Sequence, residues 1–172
     1  QALLSACLAF AVGLGWSARG VARLTLPGAT DSTVEAMFAK SGAVRGEPDA
    51  ALAARIVAYG NGERTEFGDV PLDFDGVSEF NRRVYDDILG LRWGETTTYG
   101  AIARRLGDVN LSRAVGRALG DNPIPLLVPC HRVLAAGGRT GGFSAPGGVT
   151  SKMRMLALEH AGTPERQLAF GF

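Results

Sequence analysis

Residues 122–133 read Asn-Pro-Ile-Pro-Leu-Leu-Val-Pro-Cys-His-Arg-Val, and the rest of the chain is best understood outward from them. Ile124 to Val128 is a short apolar run bounded by β-branched residues, which is the length and make-up of a buried strand. Pro129 has no N–H to give to a ladder, so the strand is expected to stop there. Cys130 then stands at a strand end with His131 and Arg132 directly behind it. The thiolate is the reactive form of cysteine, and its reference pKa of about 8.5 falls beside an imidazolium or another cation. Neighbouring side chains on an extended strand point to opposite faces, so contact between Cys130 and His131 through water fits the sequence as well as direct contact does. Most lone cysteines are small buried hydrophobes, and taken alone Cys130 fits that reading too.

Downstream, Gly137-Gly138 to Gly147-Gly148 reads as a flexible loop carrying Phe143, Ser144 and Pro146. Thr150 or Ser151 is expected to cap a final helix, KMRMLALEHAG, with Met153, Leu156 and Ala157 as its apolar stripe. Glu159 falls near the end of that helix, where a carboxylate opposes the dipole and requires water or a cationic partner. It is either exposed or paired with His131 in a Cys–His–Glu relay that would draw the proton from the thiol.

Upstream, Val77 to Arg92 carries Phe80, Val84, Ile88 and Leu89 on one helical face and Asn81, Arg82 and Arg83 on another. Gly94-Glu95 breaks that helix, and Thr98 can cap a short one through Tyr99, Ile102 and Leu106 to Gly107. After Asp108-Val109-Asn110 a second short helix, LSRAVGRALG, exposes Arg113 and Arg117. Two short helices joined by a glycine-containing turn form a helix-turn-helix pattern. Ala114, Gly116 and Ala118 would let the second helix lie against a nucleic-acid backbone, and they suit tight protein packing equally well.

The first half offers elements and no nameable chemistry. Leu8 to Leu26 reads as two antiparallel strands about a Ser17-to-Gly20 turn, Asp31 to Gly42 and Pro48 to Gly60 as helices, and Glu66 to Asp75 as a third strand. The fold class is therefore α/β (α+β). A small N-terminal sheet with helices, residues 1–75, precedes a mainly helical part, residues 76–172, that holds the helix-turn-helix and the cysteine strand. With 46% hydrophobic and 20% charged residues the chain is globular rather than disordered. The net charge of +1 hides an asymmetry: residues 1–80 hold six basic and ten acidic side chains, residues 81–172 twelve and seven. A polyanionic partner should meet the second half. Two cysteines and two histidines leave no structural zinc set and no disulfide framework, in keeping with a reducing cytosol. The apolar opening QALLSACLAFAVGLG has no basic n-region, and Trp16, Ser17 and Arg19 interrupt it, so neither a signal peptide nor a membrane span is expected.

Asn122-Pro123, the apolar run, PCHRV and the glycine-rich GGRTGGFSAPGG together closely resemble the active-site signature of the O6-alkylguanine-DNA alkyltransferases. The resemblance is strong over roughly residues 70–162 and extends to the first half only in pattern. It implies that Cys130 is the alkyl acceptor, His131 its water-linked histidine, Glu159 the relay carboxylate, and Asn122 the hinge between DNA-binding helix and active-site strand. It implies DNA contacts at Tyr99, which would crowd the phosphate beside the target, at Arg113, the arginine that fills the gap left by a flipped base, and at Asn81, Gly100 and Arg132. An alkyl and base pocket would be formed by Pro125, Val133, Phe143 and Ser144. The expected partner is double-stranded DNA bearing O6-alkylguanine, read from the minor groove by a monomer in the cytoplasm, nucleoid-associated when bound. A base inside a duplex is beyond a thiolate's reach and must be flipped out at a cost of a few kcal/mol. No cofactor and no metal is expected, since the zinc ligands some relatives carry in the first half are absent. Phe143 stands where several relatives have tyrosine, and the loop from Ser144 to Lys152 is longer than in some, both of which bear on the alkyl groups accepted.

Two other functions fit parts of this pattern. One is a non-enzymatic lesion-sensing DNA-binding protein with an inert Cys130, although the sensors of this family carry another residue in place of the cysteine. The other is a cysteine hydrolase built on the same Cys–His–Glu trio, which leaves the basic helix-turn-helix without a purpose.

Overall fold

The computed structural model describes residues 2–6, 10–28 and 46–161. Strand β2 (Phe10–Ser17) runs antiparallel to β3 (Gly20–Thr25), and β1 (Ala2–Ala6) pairs with the other edge of β2, so the sheet order is β1-β2-β3. Period-two alternation sends Val12 and Leu14 into the core, and an irregularity in the β2–β3 register at Gly15 and Trp16, which leaves Ala22 unpaired, lets both Val21 and Leu24 follow them. The hairpin closes at Gly20, whose φ is +144° and where a Cβ would lie 2.3 Å from the Pro71 carbonyl oxygen. Only glycine admits that approach.

The third strand expected over Glu66 to Asp75 does not form. The segment makes a single parallel bridge, Val21 to Leu72, held by Val21 N donating to Pro71 O and Asp73 N donating to Val21 O. Pro71 has no N–H with which to extend the ladder. Asp73 turns its carboxylate away to accept from the Ser17 hydroxyl at 2.6 Å and from Arg19 at 3.1 Å. The helix expected over Asp31 to Gly42 lies outside the described residues.

Helix α1 (Ala50–Gly60) starts where the Asp49 carboxylate accepts from Leu52 N at 2.7 Å, and it buries Leu52, Ile56 and Tyr59. Helix α2 (Glu79–Leu89), capped by Ser78, buries Val84, Tyr85 and Ile88. Helix α3 (Tyr99–Arg105) is capped by Thr98 Oγ1, which accepts from Ala101 N at 3.1 Å. A 3-10 turn, Val109–Leu111, leads from it into α4 (Ser112–Gly120), whose buried face is Val115, Ala118 and Leu119 while Arg113 and Arg117 face solvent.

No strand forms over Ile124 to Val128 either. Val128 N donates back to Ile124 O, Pro125 and Val128 make an isolated bridge, and Leu126 takes a left-handed conformation with φ of 78°. The apolar run is a buried turn. Its apolarity records burial on every side, with Ile124 and Val128 fully inaccessible. The Asn122 amide supplies the polar partners a ladder would have given. A leucine in the left-handed region costs about 1–2 kcal/mol, which burial of its side chain, worth about 1.5–3 kcal/mol, offsets. Cys130 therefore opens a 3-10 turn, Cys130–Arg132, instead of ending a strand. Strand β5 (Val133–Leu134) follows and pairs in parallel with β4 (Thr97–Thr98), which fastens the cysteine segment to the start of α3.

Helix α5 (Gly148–Leu158) begins after Gly147, which is left-handed, and not at Thr150 or Ser151. Its buried residues are Lys152 and Met155, with Glu159 as C-cap, whereas Met153 is 55% exposed. The inward face holds a lysine and leads to a glutamate, so hydrophobic periodicity locates the wrong stripe. One core cluster joins Val12, Leu24 and Ile56 of the first half to Ile88, Val115 and Val128 of the second. Among the described residues no helix is long and apolar enough to cross a membrane.

Candidate active site

Cys130 reaches a cleft of about 570 Å³ whose walls are Tyr99 from α3, Ser112, Arg113, Gly116, Leu119 and Gly120 from α4, and Gly142, Phe143 and Ser144 from the glycine-rich loop. Asn122 holds the turn beneath the cysteine: its Nδ2 donates to Val128 O at 3.0 Å and its Oδ1 accepts from Ile124 N at 3.0 Å. Cys130 N donates to Val128 O at 2.8 Å, so the amide clamp sets the position of the thiol. Across the cleft the Tyr99 hydroxyl donates to Gly142 O at 3.3 Å and Ser144 Oγ to Gly120 O at 2.7 Å, which ties the loop to both helices.

Behind the thiol lies a buried polar cluster. The Glu159 carboxylate takes five donors: Tyr59 Oη at 2.9 Å, His131 Nε2 at 2.7 Å and Arg132 Nη2 at 3.1 Å on Oε1, and Gly94 N at 3.1 Å and Arg132 Nε at 2.9 Å on Oε2. Arg132 completes its fork by donating to Leu91 O at 2.5 Å. Charge-assisted bonds of this kind are what make a fully buried carboxylate tolerable.

Burial pushes the Glu159 carboxyl up, but the hydrogen bonds and charges of His131 and Arg132 outweigh it and hold the group at about 2. Burial pushes His131 down despite Glu159, so the imidazole is neutral at pH 7 and the counter-charge to Glu159 is Arg132. An ionised carboxylate only accepts, so Nε2 carries the ring proton. Nδ1, buried and without a hydrogen-bond partner, presents its lone pair. Burial also pushes the Cys130 thiol up, opposed by the Asn122 side chain and the charge of Lys152. Lys152 is itself lowered to about 8 by burial, with the Cys130 charge acting the other way. Its ammonium donates to Val133 O at 2.6 Å and to Gly142 O at 3.4 Å. At neutral pH the resting site is thus a protonated thiol near a neutral imidazole whose Nδ1 has no hydrogen-bond partner.

The pattern of the 6-O-methylguanine DNA methyltransferase DNA-binding domain matches residues 79–161. A methylated-DNA–protein-cysteine methyltransferase of Mycolicibacterium paratuberculosis is 46% identical over 110 residues, covering 64% of each chain. A DNA base-flipping protein of Thermus thermophilus is 45% identical over 120 residues, covering 67% of this chain and 78% of that one. Mycobacterium tuberculosis OGT, crystallised in complex with DNA, superposes with a TM-score of 0.69 at 36% identity, covering 85% of this chain and 84% of that chain.

This chain belongs to the O6-methylguanine DNA methyltransferase family. The match spans 64% of the length of the mycobacterial methyltransferase and 85% of this chain against the DNA-bound structure.

Of the residues the family signature singles out, the fold brings Cys130, Tyr99, Arg113, Phe143 and Ser144 to one cleft, with Asn122 beneath it and His131 and Glu159 behind. Pro125 and Val133 are buried and do not line that cleft. Asn81 lies in the first turn of α2, its N–H donating to Ser78 Oγ, and Gly100 in the first turn of α3; neither lines the cleft. Arg132 corrects the sequence reading. It was expected at the DNA, yet it is 5% exposed and spends its guanidinium on Glu159 and the Leu91 carbonyl. A buried carboxylate needs a counter-charge more than a solvated phosphate does. Sequence reasoning also missed Lys152, Tyr59 and the Gly94 amide, which the fold places around Cys130 and Glu159. None carries a local signal, because a lysine in an amphipathic helix and a tyrosine in a helix of the first half both read as ordinary.

Proposed function

We propose that this chain is a DNA repair protein, a methylated-DNA–protein-cysteine S-methyltransferase. In this reading it flips O6-alkylguanine, chiefly O6-methylguanine, out of duplex DNA and transfers the alkyl group irreversibly to Sγ of Cys130. The observation that carries the reading is the juxtaposition of a cysteine facing a cleft large enough for a base with the Glu159–His131 pair behind it. His131 Nδ1 is the one nitrogen of the pair free to accept a proton, and it takes the thiol proton through a bridging water. The thiolate attacks the alkyl carbon, the S–C bond forms as the O6–C bond breaks, and the guanine leaves with a proton returned to it by the relay. A thioether has no route back, so each molecule acts once.

Arg113, exposed on α4 at the cleft wall, occupies the gap in the duplex, and Tyr99 crowds the adjoining phosphate and faces the leaving base. Asn81 and Gly100, at the first turns of neighbouring helices, contact the backbone. Phe143 and Ser144 receive the base and alkyl group. Residues 1–75 act as support and residues 76–172 as the DNA-binding and alkyl-accepting part. The protein works as a monomer in the cytoplasm, at the nucleoid when bound, without cofactor or metal.

The Thermus relative named as a DNA base-flipping protein favours one other reading, binding without transfer. Intact mass and peptide mapping after incubation with a duplex containing O6-methylguanine separate the two. One methyl on the Cys130 peptide, in a one-to-one yield that stops when protein is exhausted, is expected. An unchanged mass with retained binding of that duplex would replace repair by sensing.

A further inference from the structure

Among the described residues of the first half, Tyr59 hydrogen-bonds the Glu159 carboxylate directly. Tyr59, on α1, is 1% exposed and lies one hundred residues before the carboxylate it bonds. Its hydroxyl donates to Oε1 of Glu159, the same oxygen that accepts from His131 Nε2. Its ring stands edge-on to His131, with centroids 6.4 Å apart at 71°, and edge-on to Trp93 at 5.4 Å and 75°. Tyr59 therefore touches both members of the relay, the carboxylate through its hydroxyl and the imidazole through its ring.

We infer that Tyr59 is a positioning residue for alkyl transfer, fixing the Glu159 carboxylate that in turn sets the orientation and tautomer of His131. The inference rests on the repair reading and deepens it. Arg132 grips both carboxylate oxygens and Gly94 N holds Oε2, so these donors fix the plane of the group. Oε1 serves the imidazole, and the tyrosine shares that oxygen with Arg132 Nη2, so it is the one uncharged donor beside the histidine there. The phenol keeps its proton and donates it to Glu159, because burial and the Glu159 charge push its ionisation far above the ordinary range. Removing it changes the hydrogen bond that orients His131 and leaves the cleft, Cys130 and every DNA-facing residue in place.

Tyr59→Phe keeps the ring and deletes the donor. The expected result is a single-turnover transfer rate lower by about three- to tenfold at saturating duplex, with the affinity for the lesion duplex unchanged. Long-range proton–nitrogen NMR of the DNA-free protein should show a displaced His131 Nε2–H signal. A wild-type His131 spectrum overturns the inference, whether the rate is unchanged or falls only with the folded fraction. Should Tyr59→Phe fail to fold, a fluorinated tyrosine installed at position 59 keeps the ring and makes the phenol a stronger donor. It must then displace the His131 signal, and failure to do so is equally fatal. If the wild-type protein transfers no methyl at all, the repair reading falls, while the spectrum still decides whether Tyr59 governs the relay.

Discussion

Glu159 is the residue on which the buried cluster depends, since it is the anion that Arg132, His131, Tyr59 and Gly94 all address. Glu159→Gln would leave the Arg132 guanidinium buried without a counter-charge. Removing one partner of such a pair costs about 3–5 kcal/mol, which urea denaturation should register as an earlier midpoint with an unchanged slope. Acid should act in the same direction in two steps. His131 is pushed down by burial, so as pH falls below the ordinary imidazole value of 6.5 the unfolded chain takes a proton that the folded chain refuses, and stability falls. Glu159 is held at about 2 against an ordinary 4.5, so between those values the unfolded chain again binds the proton first and stability falls further. Both steps lower stability with falling pH, and chemical denaturation from pH 8 to pH 3 should show a continuous decline with no optimum in that window. His131→Gln should flatten the decline between pH 7 and 5 and also shrink the lower part, because His131 is one of the groups that hold the Glu159 carboxyl down.

At the scale of elements, the turn under Cys130 and the loop over it hold the cleft open between them. Asn122→Ala leaves Ile124 N and Val128 O without their side-chain partners inside the protein. Val128 O keeps its bond from Cys130 N, so the group left unsatisfied is Ile124 N, and its cost of about 1–3 kcal/mol should appear in thermal or urea unfolding, together with slower alkyl transfer as the thiol loses its fixed place. Gly141 carries φ of +68°, and a Cβ there would sit 2.9 Å from the Tyr99 ring. Gly141→Ala is expected to cost about 1 kcal/mol in backbone strain and to push the Tyr99 ring into the cleft. Its effect on single-turnover transfer should therefore exceed its effect on unfolding. The helices were legible at this scale because their caps are local: Asp49, Ser78 and Thr98 each bond within three residues. The two strands expected at Glu66 to Asp75 and Ile124 to Val128 failed because apolar alternation reports burial, and the partners that decide between strand and turn lie elsewhere in the chain.

Across the whole molecule the charge is divided, with net −4 on residues 1–80 and +5 on residues 81–172. Arg113 and Arg117 are both exposed on α4, and only Arg113 lines the Cys130 cleft. Arg117→Ala should weaken binding to lesion-bearing and undamaged duplexes alike and reduce the salt slope by about 0.9 if one phosphate contact is lost. Arg113→Ala should slow transfer more than it weakens undamaged-duplex binding. Fluorescence anisotropy over a salt series and single-turnover kinetics separate the two effects.

The sequence by itself determined the two short helices α3 and α4 joined by a turn, the β2–β3 hairpin and the charge asymmetry, and it singled out Cys130, His131, Asn122 and Glu159. Each of these is written in contiguous residues: caps, turn glycines, periodicity and one long signature. Tertiary structure alone decided that Arg132 turns inward, that Lys152 is buried beside the loop, and that Tyr59 shares Oε1 of Glu159 with His131. The reason is physical. A buried carboxylate is stabilised by whichever donors the packed core carries to it, and here they come from residues 59, 94, 131 and 132, whose separation along the chain leaves no local pattern to read.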